Sequence, residues 1–597
     1  MKVGRVTVRS FAGQASPVRR GAFWLSLPVV FVLLVLFLIP FVSVAMRSLQ
    51  SEGATGLGNY QALFASADAV RIVGLTLVVV GSVVLGCVVI GFAIAFHIRF
   101  SRWKAVRLVL YTALVAPFFV SVTMRIFGWL ALMSSDGPLV TALSLLGGFS
   151  LDTRALGILA TALALIQIFL PFVALPVLAS LTLLDDHMLR AAQSLGAGFS
   201  RRLRKVVVPM AVPGLLVGSV LVIAQAIGAF FVPDILGRGF LALLPNIVVR
   251  NISLTYRPGL AAASAMVLTL VALGLIGLLS WLTYRRASFY RARRLVRRSP
   301  GTETVASSSM VQEPVPGRGS NGRIRETHRP GFVDGVVRGV LRGLSVLGVA
   351  ILIVPLVATL LLAVSGGHTL SFPIESVTLE PFSGAIEYPG YLDALKLSVA
   401  LGLGTVAVGL LLGIAGAFGV RGLGKSAGPL QLLLVLPVVL PSLAYGLGLF
   451  TVASDVLRAN DIGSWLILLF GHVVLAIPFT TRTLSAGIEQ LDVSVEKAAK
   501  SLGAGGWYRF RRVLLPMLIP SIAAGGLFAF WVSFDNFTIS YFFDQPGTRT
   551  IPVQLLVMSQ TVVDPRLAAG ATLLLLVTVP IVLFAWRFDA GSGGFNP

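Results

Sequence analysis

Long apolar runs constrain this chain before anything else. Crossing a hydrocarbon layer of about 30 Å takes about 20 apolar residues at a rise of 1.5 Å each. In the first part of the 597-residue chain such runs lie near Phe23–Met46, Ile72–Phe96, Leu108–Trp129, Gly157–Leu184, Val206–Phe231 and Leu260–Tyr284. In the second they lie near Leu344–Val364, Leu395–Val420, Leu432–Val452, Trp465–Leu484, Val513–Phe534 and Leu567–Trp586. The expected fold is an all-α polytopic membrane protein of about 12 transmembrane helices. Only 12% of residues are charged, against roughly a quarter in a soluble chain. The run at Phe23–Met46 is too long for a cleaved signal, whose apolar core has about 7–15 residues, so an uncleaved first span is expected.

The net charge of +23 raises the question of nucleic-acid binding, and the placement of the charges answers it. Basic residues crowd alternate loops: His97 to Arg107, Arg190 to Lys205, Arg285 to Arg298, Arg421 with Lys425, and Lys497 to Arg512. The stretch from Ser365 to Leu395 carries no Lys or Arg but holds Glu375, Glu380, Glu387 and Asp393. That alternation is the positive-inside pattern, with both termini expected in the cytoplasm. The outer loop holding Arg238, Arg250 and Arg257 fits it least. Membrane lipid, not nucleic acid, is the expected partner of this charge.

An internal repeat divides the chain. RAAQSLGAGFSRRLRKVVVPMAVPG, from Arg190 to Gly214, recurs without gaps as KAAKSLGAGGWYRFRRVLLPMLIPS, from Lys497 to Ser521. Gly196 matches Gly503, Pro209 matches Pro516 and Pro213 matches Pro520. Each copy follows the fourth run of its half and precedes the fifth, which implies two homologous six-helix halves in parallel. The halves are assigned to 1–286 and 332–597, joined by a flexible basic linker over 287–331 that is rich in Arg, Ser, Pro and Gly. Within each repeat, small residues form a short helix, a glycine turns the chain, and a proline pair opens the next span. Such an element is a docking knob.

These segments, 186–214 and 492–521, resemble the EAA loops of ABC-importer permeases. The resemblance implies that each docks into one of two copies of an ABC ATPase subunit. It assigns ATPase coupling to Arg190, Ala191, Ala192, Gly196 and Ala197, and to Lys497, Ala498, Ala499, Gly503 and Ala504. The leading Glu of the family is Arg190 and Lys497 here, and Glu496 is the nearest acid in the second copy. ATP hydrolysis then belongs to the partner subunits, and the chain itself is no enzyme. A periplasmic or lipid-anchored substrate-binding protein would deliver the cargo.

Further stretches resemble the polyamine (spermidine/putrescine) class: GNYQALF from Gly58, APFFVSVTMRIFGW from Ala116, LPFVALPVLASL from Leu170 and IGAFFVPDILG from Ile227. The second half adds LPVVLPSLAYG from Leu436, GHVVLAIPF from Gly471, FDNFTISYFF from Phe534 and TRTIPVQ from Thr548. Ferric-iron and thiamine importers also fuse two permeases, and an aminophosphonate is an alternative cargo. A cationic solute needs carboxylates and aromatic faces on a low-dielectric path. Candidate path residues are Asp535, Asn536, Trp531 and Phe537 with Gln225, Phe230, Asp234 and Trp129. Asp535 is expected at a water-filled mouth at the outer end of the eleventh span. The gap-free register sets Gly228 opposite Asp535, and Ala229 and Ser442 stand where relatives carry acids, so this path is less acidic than the class pattern.

GVRGLGKS, from Gly419 to Ser426, fits the P-loop pattern letter for letter. A P-loop follows a strand and opens a helix so that its amides cradle phosphate. Here the stretch follows a membrane run, so nucleotide binding is not expected. The five histidines are scattered without metal-ligand spacing and the single Cys87 precludes an intrachain disulfide. No catalytic group, metal or cofactor is expected. An ion-driven secondary transporter is the less favoured alternative, since it needs buried ionisable residues in the spans.

Overall fold

The computed structural model describes residues 17–51, 54–147, 152–237, 239, 241–296, 331–459 and 463–581. Among these, nine helices are long and apolar enough to cross a membrane, and ten if one bent pair counts as a span. The only paired strands among the described residues form a two-stranded ribbon, Gln50–Ser51 with Ala54–Thr55. Two runs expected as spans appear as shorter apolar helices, Ser442–Ser454 and Pro565–Ile581. The long helix Pro258–Val296 continues ten residues into the expected linker, whose remainder up to 330 lies outside the described residues.

The count falls three short of twelve: the third span of each half is broken, and the last run is described only as the shorter helix Pro565–Ile581. In the first half, Lys104–Val115 passes through a 3-10 turn at Ala116–Phe119 before Val122–Leu132, and the pieces meet at 107°. In the second half, Gly428–Val439 ends before Leu440 and Pro441, and Ser442–Ala459 follows. Pro441 lacks an amide hydrogen and disfavours a helical residue before it, and Leu440 is extended; in the first half the chain becomes extended at Val120, after the 3-10 turn that holds Pro117. Ser121 then restarts the helix as an N-cap, accepting from the Thr123 amide. A broken membrane helix frees backbone groups, and such groups are tolerated only where protein or a cavity satisfies them.

The halves are interleaved. The first helix of the second half, Phe332–Leu362, packs on the first half's second span (Ala67–Phe100) and on Val122–Leu132. The first helix of the first half reciprocates against Tyr391–Leu423 and Ser442–Ala459. Glycines allow both crossings: a Cβ on Gly128 would run into the Pro355 carbonyl, and one on Gly448 into the Pro40 carbonyl. Cross-half hydrogen bonds reinforce them. Thr359 Oγ1 donates to the Met124 carbonyl at 2.7 Å, and Gln167 Nε2 to the Leu352 carbonyl at 2.9 Å. Phe31, Leu85, Leu411 and Leu432 remain exposed on the perimeter, which suits a surface solvated by lipid.

Each fifth span has the same irregular start. A π-helical turn at Leu203–Val207 precedes Val208–Ala226, and one at Phe510–Leu514 precedes Leu515–Phe534. Pro209 and Pro516 sit just beyond, so the wider turn accommodates a ring that cannot donate to the preceding turn. The matched sequence thus produces a matched backbone.

The crossings predict a stability effect. Gly128→Ala and Gly448→Ala each push a methyl group into backbone that no rotamer change can clear, costing about 1–3 kcal/mol. Thermal unfolding of the purified protein should shift down for both. An unchanged midpoint would mean that the halves do not cross this closely.

Candidate functional site

The two repeat segments build matching surface knobs. Each starts on an aspartate cap: Asp185 accepts from the His187 amide at 2.9 Å, and Asp492 from the Ser494 amide at 2.8 Å. Bonds from Ser494 hold the Asp492 carboxyl below its ordinary range, so this cap is charged at neutral pH and weakens only as pH falls. The helices Asp186–Ser194 and Val493–Ser501 end at Gly196 and Gly503, with φ of 77° and 80°. The Ala197 amide then bonds the Ala192 carbonyl and the Ala504 amide the Ala499 carbonyl, a Schellman closure. Open space surrounds both glycines, so backbone conformation and not crowding demands them. Arg190 and Lys497 are exposed, as are Ala191 and Ala498, and Leu195 and Leu502 protrude at 87% exposure each.

Three acids that tether the knobs were not singled out for this from the sequence. Arg99, at the end of the first half's second span, pairs with Asp186 at 2.8 Å. Arg421, at the end of the second half's second span, pairs with Glu496 at 2.8 Å. Glu496 is therefore engaged within the chain. These half-exposed pairs are worth about 1 kcal/mol at most. The third tether crosses between halves. Asp334 accepts from the Phe199 and Ser200 amides at 2.8 and 2.9 Å and from Ser200 Oγ at 2.5 Å. Arg338 lies 4.8 Å over the Phe199 ring. The second half's first helix thus caps the first half's repeat segment. Counting back from the matched prolines Pro355 and Pro40, the position of Asp334 corresponds to Arg19, so the second segment has no acid in that register.

At the far ends of the fifth spans lies a cavity of about 210 Å³ between the halves. Gln225, Phe230, Trp531, Asp535, Asn536 and Phe537 line it. The repeat register carries through to this point: Phe230 matches Phe537, and their rings meet at 5.2 Å. Phe231 stacks on Phe537 at 3.9 Å, and Trp531 meets Phe118 edge-on at 5.4 Å. Two expected path residues lie elsewhere. Trp129 is buried, donating to Gln167 Oε1 at 2.8 Å within the packed crossing. Asp234 sits on the exposed side of the short helix Phe231–Leu236.

Asp535 departs most from expectation. Its side chain is only 8% exposed, and it faces first-half groups instead of a water-filled mouth. Ser121 Oγ donates to Oδ1 at 2.9 Å, and the Val122 amide spans both oxygens at 3.1 and 3.2 Å. The start of the broken third span thereby supplies the donors its break had freed. Arg125 Nη2 lies 3.9 Å from Oδ2. Arg125 is the residue that sequence reading passed over, although an arginine inside an apolar run is itself a functional signal. Nearby, buried His472 hydrogen-bonds Ser533 at 2.8 Å, and Thr405 donates to Ser533 at 3.1 Å. GVRGLGKS ends one membrane helix and enters a 3-10 turn, with no strand before it, so the phosphate cradle of a P-loop is not formed.

Removing the Asp334 cap should loosen one knob and not the other. Asp334→Ala is expected to cost about 0.5–2 kcal/mol locally, raising amide exchange at Phe199 and Ser200 roughly 2- to 30-fold. Exchange at the matched positions Gly506 and Trp507 should not change. Equal effects on both segments would contradict a one-sided tether.

Comparison with known proteins agrees with this architecture. The family described as binding-protein-dependent transport system inner membrane component matches twice, over residues 87–286 and 406–590. A probable ABC transporter permease protein, y4fN of Sinorhizobium fredii, is 26% identical over 69% of this chain and 69% of its own length. The spermidine/putrescine transport system permease protein PotB of Haemophilus influenzae is 30% identical over 40% of this chain and 80% of its own. A putative 2-aminoethylphosphonate transport system permease protein, PhnV of Salmonella paratyphi A, is 30% identical over 40% and 89%. With two interleaved halves, each carrying one match to the family, this chain belongs to the inner membrane components of binding-protein-dependent transport systems and is an ABC importer permease with both halves fused in one polypeptide.

Proposed function

We propose that the chain forms the translocation path of an ATP-driven importer for a small amine, with polyamines as the leading class. One observation carries this reading. The cavity between the halves is built from the ends of the two fifth spans, and each of those spans begins at a knob. A movement imposed on the knobs is transmitted along one helix to the cavity wall. Two partner ATPase subunits would grip Arg190–Ala197 and Lys497–Ala504, and a substrate-binding protein would present the solute on the opposite face. The assignment puts the knobs and both termini in the cytoplasm of a bacterial cell, with 287–331 as the connection between permease halves 1–286 and 332–597.

The cavity chemistry supports an amine. Asp535 offers a carboxylate, while Trp531, Phe230 and Phe537 offer ring faces to a cation. At about 210 Å³ the space suits a solute smaller than drug-sized ligands, whose pockets run to about 300–1,000 Å³. An aminophosphonate is the second reading, favoured by Arg125 in the same wall and by the likeness to a putative 2-aminoethylphosphonate permease.

Vesicles containing the chain test the reading directly. Uptake of putrescine or 2-aminoethylphosphonate should require ATP, the ATPase subunit and the binding protein together. Uptake driven by an ion gradient alone would overturn it. Gly503→Trp should abolish uptake and ATPase association without preventing insertion, since a bulky residue is strained at positive φ and enlarges the knob. Wild-type uptake by that variant would remove the knob from its coupling role.

Sidedness has its own check. In a Cys87→Ala background, a cysteine at exposed Ser383 should react with an impermeant thiol reagent from outside, and one at Ser501 should not. The reverse pattern would invert the topology.

A further inference from the structure

Arg125 is only 3% exposed in its side chain, and it lines the cavity. Its Nη2 lies 3.9 Å from Asp535, beyond hydrogen-bonding distance, and its Nε has no hydrogen-bond partner. The guanidinium is therefore held to the carboxylate by charge, without the fork geometry that locks an arginine pair. Asp535 is the better satisfied partner, with Ser121 and Val122 on its oxygens. All three of these groups belong to the first half, whereas Asp535 ends the second half's fifth span.

The pseudo-symmetric counterpart has no such charge pair. Gly228 takes the place of Asp535, and a Cβ there would lie 3.8 Å from Ser442 Oγ, the position matching Val122. Tyr445 takes the place of Arg125 and is fully buried, with no partner for its hydroxyl. The halves thus press together at two equivalent points, and only one is charged.

From this geometry we infer that Arg125 is a specificity and gating residue: it is the resident counter-ion of Asp535 while the halves are together, and a cationic solute replaces it when they part. The inference rests on the transport reading above. Parting the halves draws the carboxylate away from Ser121, Val122 and Arg125 at once, because these stay with the first half. A carboxylate left alone on a low-dielectric path is costly, so the open path favours a solute that brings its own cation. A neutral solute leaves the carboxylate bare. An anion is drawn to Arg125 and leaves Asp535 unpaired. Selection thus works by penalising the wrong cargo as much as by attracting the right one.

The test uses the complete assembly in vesicles and two variants. Arg125→Met with Asp535→Asn removes both charges together and leaves no buried ion behind. Ser121→Ala keeps both charges and removes one donor, so it guards against failure of the first to fold. With neither solute nor binding protein, ATP hydrolysis should rise about tenfold or more in the double variant and about three- to tenfold in Ser121→Ala. Putrescine uptake should drop at least tenfold in the double variant and persist in Ser121→Ala. Unchanged hydrolysis in Ser121→Ala, or in a folded double variant, would overturn the lock. Full putrescine uptake by the double variant would overturn the exchange. If the wild-type assembly shows no ATP-driven uptake, the transport reading itself fails, and the hydrolysis comparison still decides the lock.

Discussion

Each half of this permease depends on a helix supplied by the other. The crossings at Gly128 with Pro355 and at Gly448 with Pro40 bring backbone against backbone, a contact that only a residue without a side chain permits. In lipid, helices gain little from burying apolar surface, so close packing and interhelical hydrogen bonds must hold them together. Here both act at one place. Thr359 reaches the Met124 carbonyl, and Gln167 joins Trp129 to the Leu352 carbonyl. The broken third spans, held from outside by the opposite half, can then turn their free helix starts toward the cavity.

Around that frame the molecule is close to two-fold symmetric, and its departures from symmetry mark where charge is placed. Knob, glycine turn, π-helical turn and Phe230 with Phe537 all come in matched pairs. Asp535 beside Arg125 and Asp334 beside Phe199 and Ser200 have no acidic counterparts in register, where Gly228 and Arg19 stand instead. A fused chain can hold such differences, because the two halves never exchange places. Two copies of one half would carry each charge twice.

Much of the site was legible because its parts are local in sequence. The gap-free repeat carried the knobs, down to the positive φ at Gly196 and Gly503, since a glycine closing a short helix has one favoured use. The aromatic and polar members of the cavity followed from their place at the ends of the fifth spans. Trp129 and Asp234 share that level in the sequence, but packing turned Trp129 into the crossing between halves and left Asp234 on the surface. Arg125 was passed over for the converse reason. Its partner stands in the other half of the chain, and no spacing rule links two residues so distant.

By itself, then, the sequence determined the solvent, the helical class, the two-fold repeat and the knobs. These follow from run length, composition and short-range spacing, which act over one helix at a time. Tertiary structure alone decided which half lends its first helix to which, where the third spans break relative to the cavity, and what faces Asp535. The physical reason lies in the donors of that carboxylate. Ser121 and the Val122 amide are free to reach it only because a helix restarts there. That restart meets Asp535 only because the halves interlock.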